Sequence, residues 1–320
     1  RAPKASIAWS RSLAGAMADS GYLLPFPATG EEAMLERILE IHEREGLDAI
    51  IPCLDAELPC FVALESRLRE RGIRCILPTA AMLRARSKDQ LMELCAKANV
   101  HVPQTKLISD SSFFRNCTRE GWSYPLVVKG IFYDAVVAYT PETAEAAFHR
   151  LAQQWGYPVL VQKFYEGQEL NLTGLGSMGK LISPVMMRKR ALTDKGKGWA
   201  GVTVVDEQLE RMASSLVETL GWRGPLEVEV LRANDGKLYL IEINPRFPAW
   251  IFLSAAVGRN LPRILLDLMR GLTPENLAPL KPGQLFIRYA QEMVVDLSAF
   301  ESLVMQGSLD SAVVTERSKL

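Results

Sequence analysis

Two rhythms of apolar and polar residues take turns along residues 1–85. "KASIAW" reads as a strand. "GEEAMLERILEIHEREG" carries Met34, Leu35, Ile38, Leu39 and Ile41 at helical spacing, with Gly46 where a C-cap belongs. "LDAIIPC" is a short apolar strand of the kind covered on both faces. "ELPCFVALESRLRERG" predicts a second amphipathic helix ending at Gly72, and "IRCILP" a third strand. The rhythm is that of a small doubly wound α/β domain. No G-x-G-x-x-G interrupts it, so a dinucleotide fingerprint is absent.

"SKDQLMELCAKANV" then predicts a helix with Ser87 as N-cap and Leu91, Leu94 and Cys95 on one face. From about residue 120 strands dominate. "SYPLVVKGIFYDAVVAY" reads as paired strands, and "PETAEAAFHRLAQQWG" as a helix with Pro141 in its first turn. "YPVLVQKFYEGQELNLTGLGSMGKLISPVMMRKR" holds several strands joined by Gly-containing turns. "TDKGKGWAG" is a polar loop, and "VDEQLERMASSLVETLG" an amphipathic helix. "GPLEVEVLRANDGKLYLIEIN" is a hairpin around the turn formers of "RANDG". A helix, "NLPRILLDLMRG", and a strand, "QLFIRYAQEMVV", follow.

Composition narrows the function. Lys plus Arg and Asp plus Glu are 37 each, so the 320-residue chain lacks the basic excess of a sequence-independent nucleic-acid binder. Five cysteines without a CxxC and three scattered histidines make a zinc cluster an unfavoured reading and buried thiols in a reducing, cytoplasmic setting the expected one. No apolar run reaches the roughly 18 residues that span a bilayer, and no signal-peptide pattern opens the chain. It opens on Arg1 rather than Met, so a natural N-terminal segment is expected to precede it.

The hairpin carries the chemistry. Strand side chains alternate, so Glu242 and Asn244 share one face, and Glu227 and Glu229 share one face of the partner strand. Pairing across "RANDG" brings Glu229 near Glu242. Two carboxylates and an amide on one sheet face repel and call for a cation, and hard oxygen donors suit Mg2+ (or Mn2+). Pro245 stops regular pairing and leaves Arg246 at a strand end, where its planar fork can reach an anion.

"IEINPR", preceded by that acidic strand, resembles the metal-binding hairpin of the ATP-grasp superfamily, and the resemblance extends over most of the chain. It implies an α/β (α+β) ATP-grasp fold. Residues 1–85 resemble the pre-ATP-grasp domain of carbamoyl-phosphate synthetase large-subunit-like proteins. Residues 86–160 would be the N-terminal ATP-grasp subdomain, and 161–320 the C-terminal one. The metal ligands implied are Glu229, Glu242 and Asn244. Lys129, ending the apolar strand "PLVVK", is similar to the phosphate-binding lysine, and Lys88 to the lysine that precedes it. "VLVQKFYEGQELNL" is similar to the adenine hinge. Gln162, Lys163, Phe164 and Tyr165 would then hold ATP's adenine, and Glu169 its ribose. "MMRKRALTDKGKGWAG" is similar to a lid over the triphosphate, with Arg188, Lys189, Arg190, Lys195 and Lys197. Gly196, Gly198 and Gly201 would let its backbone approach phosphate. Arg188 and Arg190 alternate with Lys189, and which face points inward is left open. Asp55 and Glu57 fall where a strand end meets a crevice, and N-capping of the next helix is the competing role for Asp55.

The resemblance implies an ATP-dependent ligase. It would phosphorylate a carboxylate and pass the acyl phosphate to an amine such as an amino acid or peptide. Arg246, Arg190 and Lys189 are the expected catalytic cations, and Arg288 and Trp250 the expected substrate contacts. Partners would be small molecules, neither nucleic acid nor membrane, with a homodimer left open. Two alternatives stay beside this reading: carboxyphosphate or carbamate chemistry, and a non-catalytic nucleotide-binding module.

Overall fold

The computed structural model describes residues 19–192, 198–272, 279–289 and 297–310. The expected strand "KASIAW", and Lys195, Gly196 and Lys197 of the expected lid, lie outside them. The chain divides into two compact units, one from residues 1–50, 56–75 and 289–320, the other from 51–55 and 76–288.

In the first unit, the two expected helices form at Glu31–Glu45 and Leu58–Glu70. The first buries Met34, Leu35, Ile38 and Ile41, and Gly46 ends it in the left-handed region at φ 66°, its N–H donating to the His42 carbonyl. The strands expected over 47–53 and 73–78 do not form as strands. Only one parallel bridge joins Ala49 to Arg74. Pro52 and Pro78 lie beyond this bridge near the ends of the two runs and have no N–H with which to extend the pairing.

The second unit holds two antiparallel sheets. Helix α1 (Leu91–Lys97) buries Leu91, Leu94 and Cys95 as expected, but Gln90 rather than Ser87 precedes it. The Ser87 hydroxyl instead bonds Asp89, 2.6 Å away, and its carbonyl accepts from the Gln90 N–H. Strands β1 (Thr105–Ile108), β2 (Leu126–Lys129), β3 (Ala135–Ala138) and β4 (Val159–Lys163) form the smaller sheet, in the order β1-β4-β2-β3. Helix α2 (Pro141–Trp155) covers it, with Thr140 as N-cap and Ala144, Ala147, Phe148 and Leu151 packed inward.

The larger sheet contains β5 (Gly167–Ser177), β6 (Lys180–Leu192), β7 (Gly198–Val204), β8 (Gly224–Ala233), β9 (Leu238–Asn244) and β10 (Leu285–Ile287), in the order β9-β8-β5-β6-β7-β10. Helix α3 (Glu207–Leu220) packs on one face through Leu209, Met212, Ala213, Leu216 and Val217, the i, i+3, i+4 stripe of its sequence. Asp206 caps it by accepting from the Gln208 and Leu209 N–H groups, worth about 1 kcal/mol. Helix α4 (Leu261–Met269) packs with Trp250, Phe247 and Met187 in a second cluster. Gly201 belongs to β7, opposite Lys189. A Cβ there would lie 2.4 Å from the Met187 sulfur and 2.9 Å from the Phe286 ring. Close packing therefore explains this glycine, in place of the approach to phosphate expected from sequence.

Candidate active site

Strands β8 and β9 pair in the anticipated register, with Glu242 opposite Glu229 and Asn244 opposite Glu227. A bulge between Leu240 and Glu242 re-aims the end of β9 without breaking the pairing of the acidic residues. Facing carboxylates about 5 Å apart repel by about 3 kcal/mol at a near-surface dielectric. The molecule meets this with donors. Asn244 Nδ2 donates to Glu229 Oε1 at 2.9 Å and to Glu227 Oε2 at 3.0 Å. Lys189 Nζ lies 2.8 Å from Glu229 and 2.7 Å from Glu169. Burial alone would lower the Lys189 pKa, but the two glutamates raise it. Glu242 forms no hydrogen bond among the described residues, and burial, then Glu229, push its pKa up against the pull of Lys88 and Lys129.

Two lysines face this hairpin from the other side. Lys129 ends β2, half-buried, opposite Ala135 and Leu160. Burial and the neighbouring Lys88 charge bring its pKa down to about 8, although Glu242, Glu229 and Glu169 favour its proton. Lys88 Nζ donates to the Phe132 carbonyl at 2.8 Å and lies 3.5 Å from that of Gly130, so it holds the β2–β3 turn. Burial lowers its pKa too.

At the hinge, Gln162 is buried in β4 and its Nε2 donates to Thr105 Oγ1 at 2.9 Å. The Lys163 N–H bonds the Gln104 carbonyl, and its Nζ sits 5.8 Å from the Trp122 ring centre. Phe164 and Tyr165 lie past the end of β4 and form no backbone hydrogen bond among the described residues. The Tyr165 ring stacks on Tyr239, centroids 4.3 Å apart.

Arg246 meets a carboxylate from far along the chain. Its Nε donates to Asp55 Oδ2 at 2.7 Å, and its Nη1 lies 4.0 Å from Glu227. Burial alone would depress the Arg246 pKa; Asp55 raises it. Arg86 Nη2 stands 3.7 Å from Asp55, and its Nη1 donates to the Ile243 carbonyl at 3.1 Å. Burial lowers the Arg86 pKa. Asp55 is therefore an arginine partner and not a helix cap, since Glu57 precedes the helix at Leu58.

Glu229, Glu242, Asn244, Lys129, Lys88, Lys189, Glu169 and Arg246 thus converge. Three other expected residues stand differently. Lys189 points to the glutamates, whereas Arg190 is exposed at the register shift between Lys189 and Ala191. Arg288 bonds through its backbone N–H to the Trp199 carbonyl, and no side-chain contact ties it to the carboxylates among the described residues. Trp250 is buried with α4, and its Nε1 donates to Glu227 Oε1 at 2.7 Å. Sequence reasoning left Arg86 and Tyr133 out. Burial and then Asp55 raise the Tyr133 pKa, with Arg246, Glu242 and Arg86 also acting on it. Their signal was weak, for an arginine beside a helix and a tyrosine in a turn are ordinary surface residues.

No group of three His, Cys, Asp or Glu side chains among the described residues forms a metal cluster. The hairpin instead offers two carboxylates and one amide, the hard oxygen set that suits a magnesium ion completing its shell with phosphates and water. No helix among the described residues is long and apolar enough to cross a membrane.

A smaller antiparallel sheet and a larger one, with an acidic hairpin in the larger facing the half-buried lysine that ends an inner strand of the smaller, make an ATP-grasp fold. Residues 157–292 match the family model described as ATP-grasp in the biosynthetic pathway with Ter operon. The chain is 25% identical to a probable alpha-L-glutamate ligase of Cellvibrio japonicus, over 73% of this chain and 79% of the relative. It is also 25% identical to a carbamoyl phosphate synthase large chain of Halomonas eurihalina, over 76% of this chain and 24% of that much longer protein. A biotin carboxylase of Campylobacter jejuni superposes with a TM-score of 0.65 at 17% identity, over 77% of this chain and 60% of that one. An L-amino acid ligase of Bacillus licheniformis superposes at 0.59 and 17%, over 77% and 62%. The chain spans less than two thirds of the length of either solved structure. The chain therefore has an ATP-grasp fold, and it is similar in sequence to ATP-grasp proteins over residues 157–292.

Proposed function

We propose that this chain phosphorylates a carboxylate substrate with ATP and transfers the acyl group to an amine, releasing ADP and phosphate. The observation that carries the reading is the opposition of Glu242 and Glu229, with Asn244 beside them, to Lys129 and Lys88. Each acidic group alone would be costly to cover, and each lysine likewise. Together they form a mixed-charge cleft suited to a polyanion and its counter-ion.

Glu229, Glu242 and Asn244 would hold Mg2+ (or Mn2+), which when bound neutralises charge on the nucleotide phosphates. Lys129 donates to phosphate oxygens, a positioning and electrostatic task that needs no nucleophilic side chain. Lys88 holds the β2–β3 turn over the site through the Phe132 carbonyl. Phe164 and Tyr165 offer backbone groups to the adenine edge. Glu169, acceptor-only when ionised, takes the ribose hydroxyls while Lys189 fixes its position. Arg246 and Arg86 present guanidinium groups to the acid substrate, and the Asp55 carboxylate already paired with Arg246 supports this corner as a place for a carboxylate. The likeness to proteins named as glutamate and L-amino acid ligases supports an amine acceptor of the amino-acid class.

The test is release of phosphate from Mg-ATP over a panel of amino acids, peptides and bicarbonate. Turnover that needs an organic acid and an amine together supports the ligase. Turnover with bicarbonate alone replaces it with carboxyphosphate chemistry, the second reading, which the likeness to a carbamoyl phosphate synthase and a biotin carboxylase favours. Nucleotide binding without turnover on any member makes the chain a binding module.

A further inference from the structure

Glu227 lies on the acidic face but is more deeply buried than Glu229, whose side chain keeps a quarter of its surface exposed. It is 4% exposed and sits opposite Asn244, one step inward from the Glu229–Glu242 pair. Both of its oxygens are occupied. Oε1 accepts from Asn171 Nδ2 at 2.7 Å and from Trp250 Nε1 at 2.7 Å. Oε2 accepts from Asn244 Nδ2 at 3.0 Å. The same Asn244 nitrogen donates to Glu229 Oε1 at 2.9 Å. A primary amide has two N–H bonds, and these two glutamates take both. The amide is planar, so when its nitrogen is turned toward Glu227 and Glu229, its oxygen is turned the other way.

On this basis we infer that Glu227 is a positioning residue. By accepting from Asn244 Nδ2 it holds the amide in the one orientation that presents Oδ1, rather than an N–H, to the cation. The inference rests on the reading of Glu229, Glu242 and Asn244 as metal ligands. Asn171 and Trp250 serve the same end one layer further out. They come from β5 and from the segment after Pro248, and they fix the Glu227 carboxylate from two directions. A buried carboxylate with three donors could also serve stability alone, and the two roles separate on the metal. If Glu227 serves only the fold, an isosteric replacement that folds leaves metal affinity unchanged. If Glu227 orients Asn244, the amide that replaces the carboxylate has one donor end and cannot receive all three N–H groups. Asn244 then turns its own N–H toward the cation.

The experiment measures Mn2+ affinity of the whole chain in the presence of ADP, by the loss of the free Mn2+ resonance, with the melting temperature followed in parallel. Glu227→Gln is expected to weaken Mn2+ binding by about 10- to 100-fold, the usual cost of removing a group that orients a metal ligand. Adding Asn244→Asp to it should recover much of the affinity. The amide nitrogen introduced by the first substitution can donate to the carboxylate introduced by the second, whose other oxygen then faces the metal. Trp250→Phe removes a donor to Glu227 but leaves its acceptor for Asn244, and should change affinity least. Unchanged affinity in a folded Glu227→Gln protein overturns the inference, as does a folded double variant with no recovery. If Glu227→Gln does not fold, the double variant decides alone, and failure of both to fold makes Glu227 a folding residue and overturns the inference too. Absence of Mn2+ binding by the unaltered chain with ADP would instead sink the metal site itself, so the two failures are distinguishable.

Discussion

The β8–β9 hairpin and the β2–β3 hairpin both place charge under cover, by different means. In β8–β9 the carboxylates of Glu227 and Glu229 are supplied with donors from Asn171, Trp250, Asn244 and Lys189. In β2–β3 the ammonium of Lys129 meets no hydrogen-bond partner among the described residues, and burial holds its pKa near 8. The acidic side is built in advance, its geometry set by neighbours in the same sheet. On the proposed reading, the basic side would gain its partner when an anion arrives. A cleft of this kind would favour a polyanion together with its counter-ion over either alone, since each side lowers the other's cost of burial.

The largest effect expected on that contrast is from Glu242→Ala. Removing one of two facing carboxylates should lower kcat/KM for Mg-ATP by more than about 100-fold while the melting temperature holds or rises, because a repulsion is relieved. A variant with full turnover would remove Glu242 from the site. Next in size is Lys129→Met, which replaces the uncompensated ammonium with an apolar chain of similar length. ATP affinity should fall about 10- to 100-fold, the worth of a charge-assisted hydrogen bond, with stability unchanged or improved. Equal loss of affinity and stability would show that Lys129 has a partner in the fold.

pH sharpens the comparison further. The Lys129 pKa of about 8 lies below the ordinary lysine value of 10.5. Between those values the unfolded chain binds the proton that the folded chain has released, so this group makes stability rise with pH across that window. Nucleotide affinity should move the opposite way, weakening as pH climbs through 8. Calorimetric ATP binding and thermal melting over pH 7 to 10 would show the two trends crossing, and trends of the same sign would contradict the assignment. The smallest effect is expected from Thr105→Val, which takes the acceptor from Gln162 Nε2. It should cost about 1 kcal/mol of stability and less than about tenfold in the KM for ATP.

Much of the hairpin was legible in advance. The acidic and amide residues recur at every second position on each strand, and "RANDG" marks a turn, so the opposition of Glu229 and Glu242 followed from local pattern. The helices followed from apolar spacing and caps for the same reason, with Ser87 the exception, since its hydroxyl found Asp89 closer than a helix N–H. The N-terminal strands were less legible. Apolar runs report burial, and burial does not require a ladder.

The sequence alone determined which side chains of the hairpin share a face, where most helices lie, and that two carboxylates meet on one sheet face. These are consequences of backbone period and of chemistry within a few residues. Only the tertiary structure decided that Lys189 rather than Arg190 turns inward, that Asp55 meets Arg246, and that Asn171 and Trp250 converge on Glu227. Alternation says that neighbours point apart but not which one meets the core. Partners distant in sequence are brought together by packing, which no local pattern encodes.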